Sequence, residues 1–256
     1  MSVSPMTSKT MIKALAAAGA LALMTTGLGA SAASAQPFYK APPAQDWDGV
    51  WLIQNAPETL KTVDGKLPPM TPAAAKTYKE HLAARKAGKP AFDTIEACMP
   101  HGFPRILTAN YPIEIFMEPK QVTVIHEVHH FPRLVFLDAQ PLKADDRDQN
   151  WMGFSTGHWE GDTLVVFTAG FNDKTTLDTA GLPHTTDMEV TEHMKKTADD
   201  TLEDVVTIHD PKMYTKDWSF KIDYKRQPGR RLAEYVCTDS NPEIEQDAKA
   251  FQSAHK

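Results

Sequence analysis

Three histidines and a carboxylate stand within five residues at His126-Glu127-Val128-His129-His130. Two chemistries are open to them, and the backbone decides between the two. In a helix, His126 and His130 stand one turn apart on one face, where they can share a tetrahedral zinc with Glu127 beside them as general base of a hydrolase. In a strand, positions i and i+4 lie roughly 13 Å apart. Zinc to imidazole bonds are about 2 Å, so an extended backbone puts one ion out of reach of both.

The neighbours favour the strand. Val122, Thr123, Val124, Ile125 and Val128 are β-branched and stiff at χ1, and Pro132 interrupts a helix just after His130. Alternation then places Val122, Val124, His126, Val128 and His130 on one face and Thr123, Ile125, Glu127 and His129 on the other. The apolar majority marks the first face as the inner one, so His126 and His130 are expected inside and Glu127 with His129 outside in water. His126 and His130 are therefore the predicted acid/base pair. The alternative is a zinc-dependent hydrolase built on His126, Glu127 and His130.

Further candidates lie on loops and turns. The segment from Cys98 to Arg105 contains two prolines and a glycine, which exclude regular pairing, and offers Arg105 with His101 to an anionic group on a ligand. Tyr111 opens the β-rich region, His158 stands beside a hairpin, and His184 is on a later loop. These make Arg105, Tyr111, His158 and His184 the predicted ligand-binding residues. Ten histidines is a high count, yet no C-x-x-C or H-x-H spacing forces metal donors to converge. No cofactor is expected, with zinc as the alternative. The chain also has no G-x-S-x-G elbow, phosphate-binding P-loop or G-x-G-x-x-G, which removes the commonest hydrolase and nucleotide readings.

The elements that must position these groups follow from the rest of the chain. Residues 1–35 read as an export signal, with Lys9 and Lys13 in the n-region, an apolar stretch from Ala14 to Leu28, and Ala33-Ser34-Ala35 as the cleavage site. Residues 36–256 form one domain by length. No later window approaches the ~18 apolar residues of a membrane span. Residues 1–35 carry two lysines and no acids, so their removal takes the formal net charge from −6 to −8, which argues against nucleic acid or anionic lipid as partner. An exported protein with Cys98 and Cys237 is expected to bridge them; two buried thiols or a pair of metal ligands are the alternatives.

Thr71 to Ala87 is the strong helix, with Thr71 as N-cap, Pro72 at the first position, and Gly88 and Pro90 beyond its end. Tyr78, Leu82 and Arg85 give it a narrow stripe for packing outside a sheet. From Tyr111 onward strands follow one another: Ile113 to Met117, Val122 to His130, Leu134 to Leu137, a hairpin turned at Glu160-Gly161-Asp162, Met188 to Lys196, Leu202 to His209, Asp217 to Lys225 and Leu232 to Cys237. Short connections make neighbours antiparallel. The expected class is mainly β, a meander of about eight to ten strands closed as a barrel or folded as a sandwich, with one flanking helix. A short helix after Asn241-Pro242 ends the chain.

The run Gly157 to Val166, GHWEGDTLVV, is followed by Gly170-Phe171-Asn172-Asp173, Gly181-Leu182-Pro183-His184, Val190-Thr191-Glu192 and Glu234-Tyr235-Val236-Cys237. The combination resembles a family of exported bacterial β-rich proteins of unassigned function, over about Gly49 to Cys237. That family's pattern is Gly-Arg-Trp-Glu-Gly-Asp; here His158 takes the arginine position. The resemblance implies no catalytic assignment. Separately, Gly49-Val50-Trp51 resembles the opening of the lipocalin and calycin barrels, which implies a tryptophan plugging one barrel end.

The expected function is that of a periplasmic or secreted binding protein for a small, mostly apolar or aromatic molecule, with acid/base chemistry of lyase or isomerase type in the pocket as an extension.

Overall fold

Burial alternates with period two along Gln121–His126, Thr201–His209 and Trp218–Arg226, strands of a sheet that closes on itself. The computed structural model describes residues 46–237 except 55, 89, 144 and 145. The expected leader and cleavage site, most of the expected extended lead-in and the expected C-terminal helix lie outside the described residues. Nine strands are found among the described residues: β1 (Gly49–Gln54), β2 (Pro112–Glu118), β3 (Gln121–His126), β4 (Pro132–Phe136), β5 (Phe154–Glu160), β6 (Thr163–Ala169), β7 (Glu189–Ala198), β8 (Thr201–His209) and β9 (Trp218–Arg226). They form a closed barrel in sequence order, sealed by antiparallel pairing of β1 with β9 from Trp51↔Arg226 to Gln54↔Asp223. Closure leaves no unpaired edge, which is the physical gain over an open sheet or sandwich.

β8 shows the pattern at its plainest. Leu202, Asp204, Val206 and Ile208 are buried while the alternate residues are half-exposed. The core is built on Trp47, Trp51, Ile115, Leu164 and Leu202, all fully buried. Trp51 donates its indole N–H to Trp47 O at 2.8 Å, and the Arg226 guanidinium lies 4.8 Å from the centre of its ring. The first strand's tryptophan is thus held inside the barrel, as the calycin comparison implied.

One pairing departs from expectation. β4 and β5 run parallel, registered only at Val135↔Ser155 and Phe136↔Thr156. Residues 137–153 supply the long connection that a parallel neighbour needs. The short chain after Phe131 has a second consequence. β3 ends at His126, and Val128–His130 form a short 3-10 turn in which His129 and His130 take positive φ values of 60° and 49°. The strand predicted to His130 therefore stops four residues early.

The helix α1 (Pro72–Lys86) has Thr71 as its N-cap, the Thr71 hydroxyl accepting from Ala74 N at 3.3 Å. It buries Ala74 and Tyr78, whereas Leu82 is exposed, so the predicted stripe is shorter than expected. Arg85 donates to Thr179 O at 2.9 Å and the His81 ring bonds Gly181 O at 2.7 Å, fixing the helix to the loop between β6 and β7. Among the described residues no helix is long and apolar enough to cross a membrane.

Cys98 and Cys237 form the expected disulfide, 139 residues apart in sequence. The predicted strand Leu232 to Cys237 is absent; this segment has no ladder partner and is held by Ala233 N donating to Glu127 Oε2 at 2.7 Å and by the bridge. A loop that long gives a chain-entropy contribution of about 5 kcal/mol. Replacing both cysteines by serine is expected to lower the urea midpoint by a comparable free energy. An unchanged midpoint in equilibrium denaturation contradicts this.

Candidate functional site

The inward faces of β4, β7 and β8 each carry a charge where alternation calls for an apolar residue: Arg133, Glu192 and Asp204. All three are buried. Arg133 and Glu192 pair through both carboxylate oxygens, Nη1 to Oε1 at 2.8 Å and Nη2 to Oε2. Its Nε donates to Ser155 Oγ at 3.2 Å, its Nη2 also donates to Thr168 Oγ1 at 2.9 Å, and the guanidinium lies 3.8 Å from the Phe103 ring centre. A buried arginine so saturated is fixed in place.

Asp204 is different. Neither carboxylate oxygen has a hydrogen-bond partner in the protein among the described residues. Burial, then the neighbouring Glu192 charge, push its carboxyl well above the usual carboxylate range, while Arg133 pulls the other way. The interior thus holds one guanidinium and two carboxyl groups, of which Asp204 is the one that holds its proton more tightly than usual. Burial also raises the Tyr224 phenol far above its ordinary value, with the neighbouring Asp204 and Glu192 carboxyl groups adding to the effect.

A cavity of about 310 Å³ opens where the barrel wall is thinnest, between the first halves of β4 and β5. The reason is the short parallel register: Pro132, Arg133 and Leu134 have no ladder partner on the β5 side. Its apolar walls are Phe131, Pro132, Leu134, Phe136, Trp151, Met152 and Phe154, and its polar lining is Arg133, Asn150 and Ser155. Ser155 Oγ and Thr168 Oγ1 lie 2.9 Å apart. Both accept from Arg133, so one hydroxyl donates to the other. Thr168 is fully buried and Ser155 lines the cavity. The assignment that leaves no buried donor idle has Thr168 donate to Ser155 and Ser155 turn its own hydrogen to the cavity.

No family model matches the chain, and no curated protein matches it either. Among solved structures it is similar to a mutant of the fluorescent protein UnaG, at 14% identity and a TM-score of 0.30, covering 70% of this chain and 95% of that one. A likeness of that strength carries no argument about function, so the site rests on its own geometry.

The residues singled out from sequence fall in several places. His126 is inside as expected, 2% exposed, but it does not line the cavity. Its Nε2 has no protein partner among the described residues, and burial, with Arg133 and His101 nearby, brings the imidazole down to about 3. Such a group is neutral at pH 7 and has no proton to give as an acid. His130 is exposed, not inside: the positive φ of His129 and His130 breaks the alternation, and its Nε2 meets Ala233 O at 2.9 Å. Glu127 is buried instead of facing water because its own backbone has already turned to the helical region, at φ −58° and ψ −40°, ending the strand's alternation, and its carboxylate accepts from Ala233 N. His126 and His130 thus diverge. Among the described residues no group of three or more His, Cys, Asp or Glu side chains is placed to hold a metal ion.

Arg105 is not on a solvated loop. It is buried in a two-point salt bridge with Asp93 at 2.9 and 2.7 Å and donates to Thr176 Oγ1 at 3.1 Å, so its charge is already matched. Tyr111 is exposed and packs edge-on against Tyr235. His158 points out of the barrel toward Glu160 at 3.1 Å. His184 is buried in a separate polar cleft. None of these four lines the β4/β5 cavity. Arg133, Ser155, Glu192 and Asp204 were missed from sequence. Glu192 and Asp204 had a readable signal, since Val190-x-Glu192-x-Met194 and Leu202-x-Asp204-x-Val206 put a charge on an apolar face.

Proposed function

We propose that this protein binds a small, mostly apolar or aromatic molecule bearing one hydrogen-bond acceptor, in the cleft between β4 and β5. The observation that carries the reading is an aromatic and aliphatic wall interrupted by only a few polar residues, Arg133, Asn150 and Ser155, with the Ser155 oxygen accepting from Arg133 and lying 2.9 Å from Thr168 Oγ1. Pockets of this kind use apolar surface for affinity and one or two fixed polar groups for orientation. The Arg133 charge is neutralised by Glu192, which favours a neutral acceptor such as a ketone, amide or ether over a carboxylate. The ligand is met outside the cytoplasm: the leader in residues 1–35 and the disulfide both support export.

A neutral naphthyl ketone whose emission shifts with polarity is a fitting probe. It is expected to bind with blue-shifted emission, and Ser155→Ala to weaken binding about 5- to 10-fold, the value of one hydrogen bond of roughly 1 kcal/mol. Met152→Trp, which fills the cleft, is expected to abolish binding. If the probe binds Met152→Trp as well as the wild type, the cleft is not the site. Edman sequencing of the exported protein checks the compartment, with Gln36 expected as first residue.

A further inference from the structure

We propose that Thr175 and His184 form a nucleophile and base dyad for acyl transfer from small carboxylic esters, in a second site beside α1. The site is independent of the β4/β5 cleft. It is a cavity of about 340 Å³ between α1 and the loop joining β6 to β7, and both residues line it with His81 and Asp173.

Thr175 Oγ1 lies 2.9 Å from His184 Nε2. The other ring nitrogen, Nδ1, lies 3.2 Å from Thr185 O. A carbonyl can only accept, so Nδ1 carries the hydrogen and Nε2 is left as the acceptor of the Thr175 hydroxyl proton. That is the arrangement of an activated hydroxyl: a nucleophile hydrogen-bonded to a base that a third group orients. Here the third group is a backbone carbonyl.

Both partners are fixed from outside. Thr185, next to His184, is held by Asp210, its N–H at 2.6 Å and its hydroxyl at 3.1 Å. Pro183, on the other side, accepts from the Tyr214 hydroxyl at 2.8 Å. Thr175 sits between Lys174 N, bonded to Asn172 Oδ1 at 3.1 Å, and Thr176 Oγ1, bonded to Asp178 O at 2.8 Å. Gly102 packs so closely that a Cβ there would come within 2.9 Å of Thr175 Cγ2. The threonine rotamer is therefore confined while the residue stays partly exposed to the cavity. Burial keeps the His184 imidazole below its ordinary value and so neutral, whereas the Asp210 and Asp173 charges favour the cation that forms as it takes a proton.

In the reaction Thr175 Oγ1 forms a bond to the ester carbonyl carbon as His184 Nε2 takes its proton. The tetrahedral adduct collapses, the bond to the alcohol oxygen breaks, and His184 returns the proton to that oxygen. Water then attacks the acyl-threonine with His184 again as base, releasing the acid and restoring the hydroxyl.

The test is hydrolysis of p-nitrophenyl acetate by the exported, disulfide-bonded protein, with peptide mapping of the acylated intermediate trapped by acid quench. Turnover above buffer is expected, with acetyl on Thr175. Thr175→Val and His184→Asn should each lower the rate by about 10²- to 10⁴-fold, while Thr175→Ser keeps activity. Near-ultraviolet circular dichroism verifies folding of each variant. Should Thr175→Val or His184→Asn fail to fold, the wild-type mapping and the serine variant decide. Absence of turnover, acetyl found only on lysine or imidazole, or a fully active Thr175→Val overturns the proposal.

Discussion

Acidification from pH 7 to pH 3 is expected to unfold the wild-type protein, and His126→Leu to remove much of that sensitivity. The His126 and His101 imidazoles are each brought down to about 3, burial being the main cause in both and nearby charge or imidazole adding to it. An imidazole whose folded value is depressed binds fewer protons in the native state than in the unfolded one. Its contribution to stability is present above about pH 6.5 and is lost as the pH falls toward 3. For the wholly buried His126 the loss is roughly 4 to 5 kcal/mol, a large part of a typical folding free energy. Leucine removes the titration and gives up no bond to Nε2, since that atom has no protein partner among the described residues. At pH 7 the variant should be as stable as the wild type or more so. Urea denaturation at a series of pH values checks this, and an identical acid slope in His126→Leu refutes it.

The second large effect is expected from Arg133→Leu. The substitution leaves Glu192 and Asp204 fully buried with no cation between them. Breaking a buried pair from one side costs about 3 to 5 kcal/mol. Urea denaturation that finds the variant within about 1 kcal/mol of the wild type contradicts this. Asp204 makes stability depend on pH in the wild type itself. Its raised carboxyl binds a proton that the unfolded chain releases above about pH 4, so its contribution is full below that value and is lost as pH rises through the folded one. Asp204→Asn should match the wild type near pH 4 and exceed its stability at pH 7 to 8, by about 1.4 kcal/mol for each unit of the shift. A pH-independent difference between the two proteins contradicts the raised carboxyl of Asp204.

Taken together, these groups bound stability from both sides: the histidines oppose folding in acid, and Asp204 opposes it as the solution becomes alkaline. The same interior charges supply the polar floor of the β4/β5 cleft, through Arg133 and Ser155.

Much of the barrel was legible from local pattern alone. β-branched runs of period two between short turns determine strands, and that periodicity placed β2, β7, β8 and β9 to within a residue or two and put Val122, Val124 and His126 on the inner face. Thr71-Pro72 at one end and Gly88 at the other determined α1, because capping is a contact between residues three apart. Two cysteines behind an expected export leader made the bridge the expected pairing, and the structure has it. The sequence also contained the inward charges Glu192 and Asp204, visible as breaks in an apolar face.

What it left open depends on contacts distant along the chain. Barrel was separated from sandwich only by Trp51 meeting Arg226, a pairing of the first and last strands. Glu127 was turned inward by its own helical backbone, and His130 outward by the positive φ of His129 and His130, conformations that side-chain type does not announce and that the disulfide-tethered segment at Ala233 supports. Arg133 is one polar residue in a five-residue strand, and only its meeting with Glu192, 59 positions later, makes it the centre of the interior. The cleft itself arises from two registered residue pairs between β4 and β5, because a gap in a barrel wall is a property of register and not of composition.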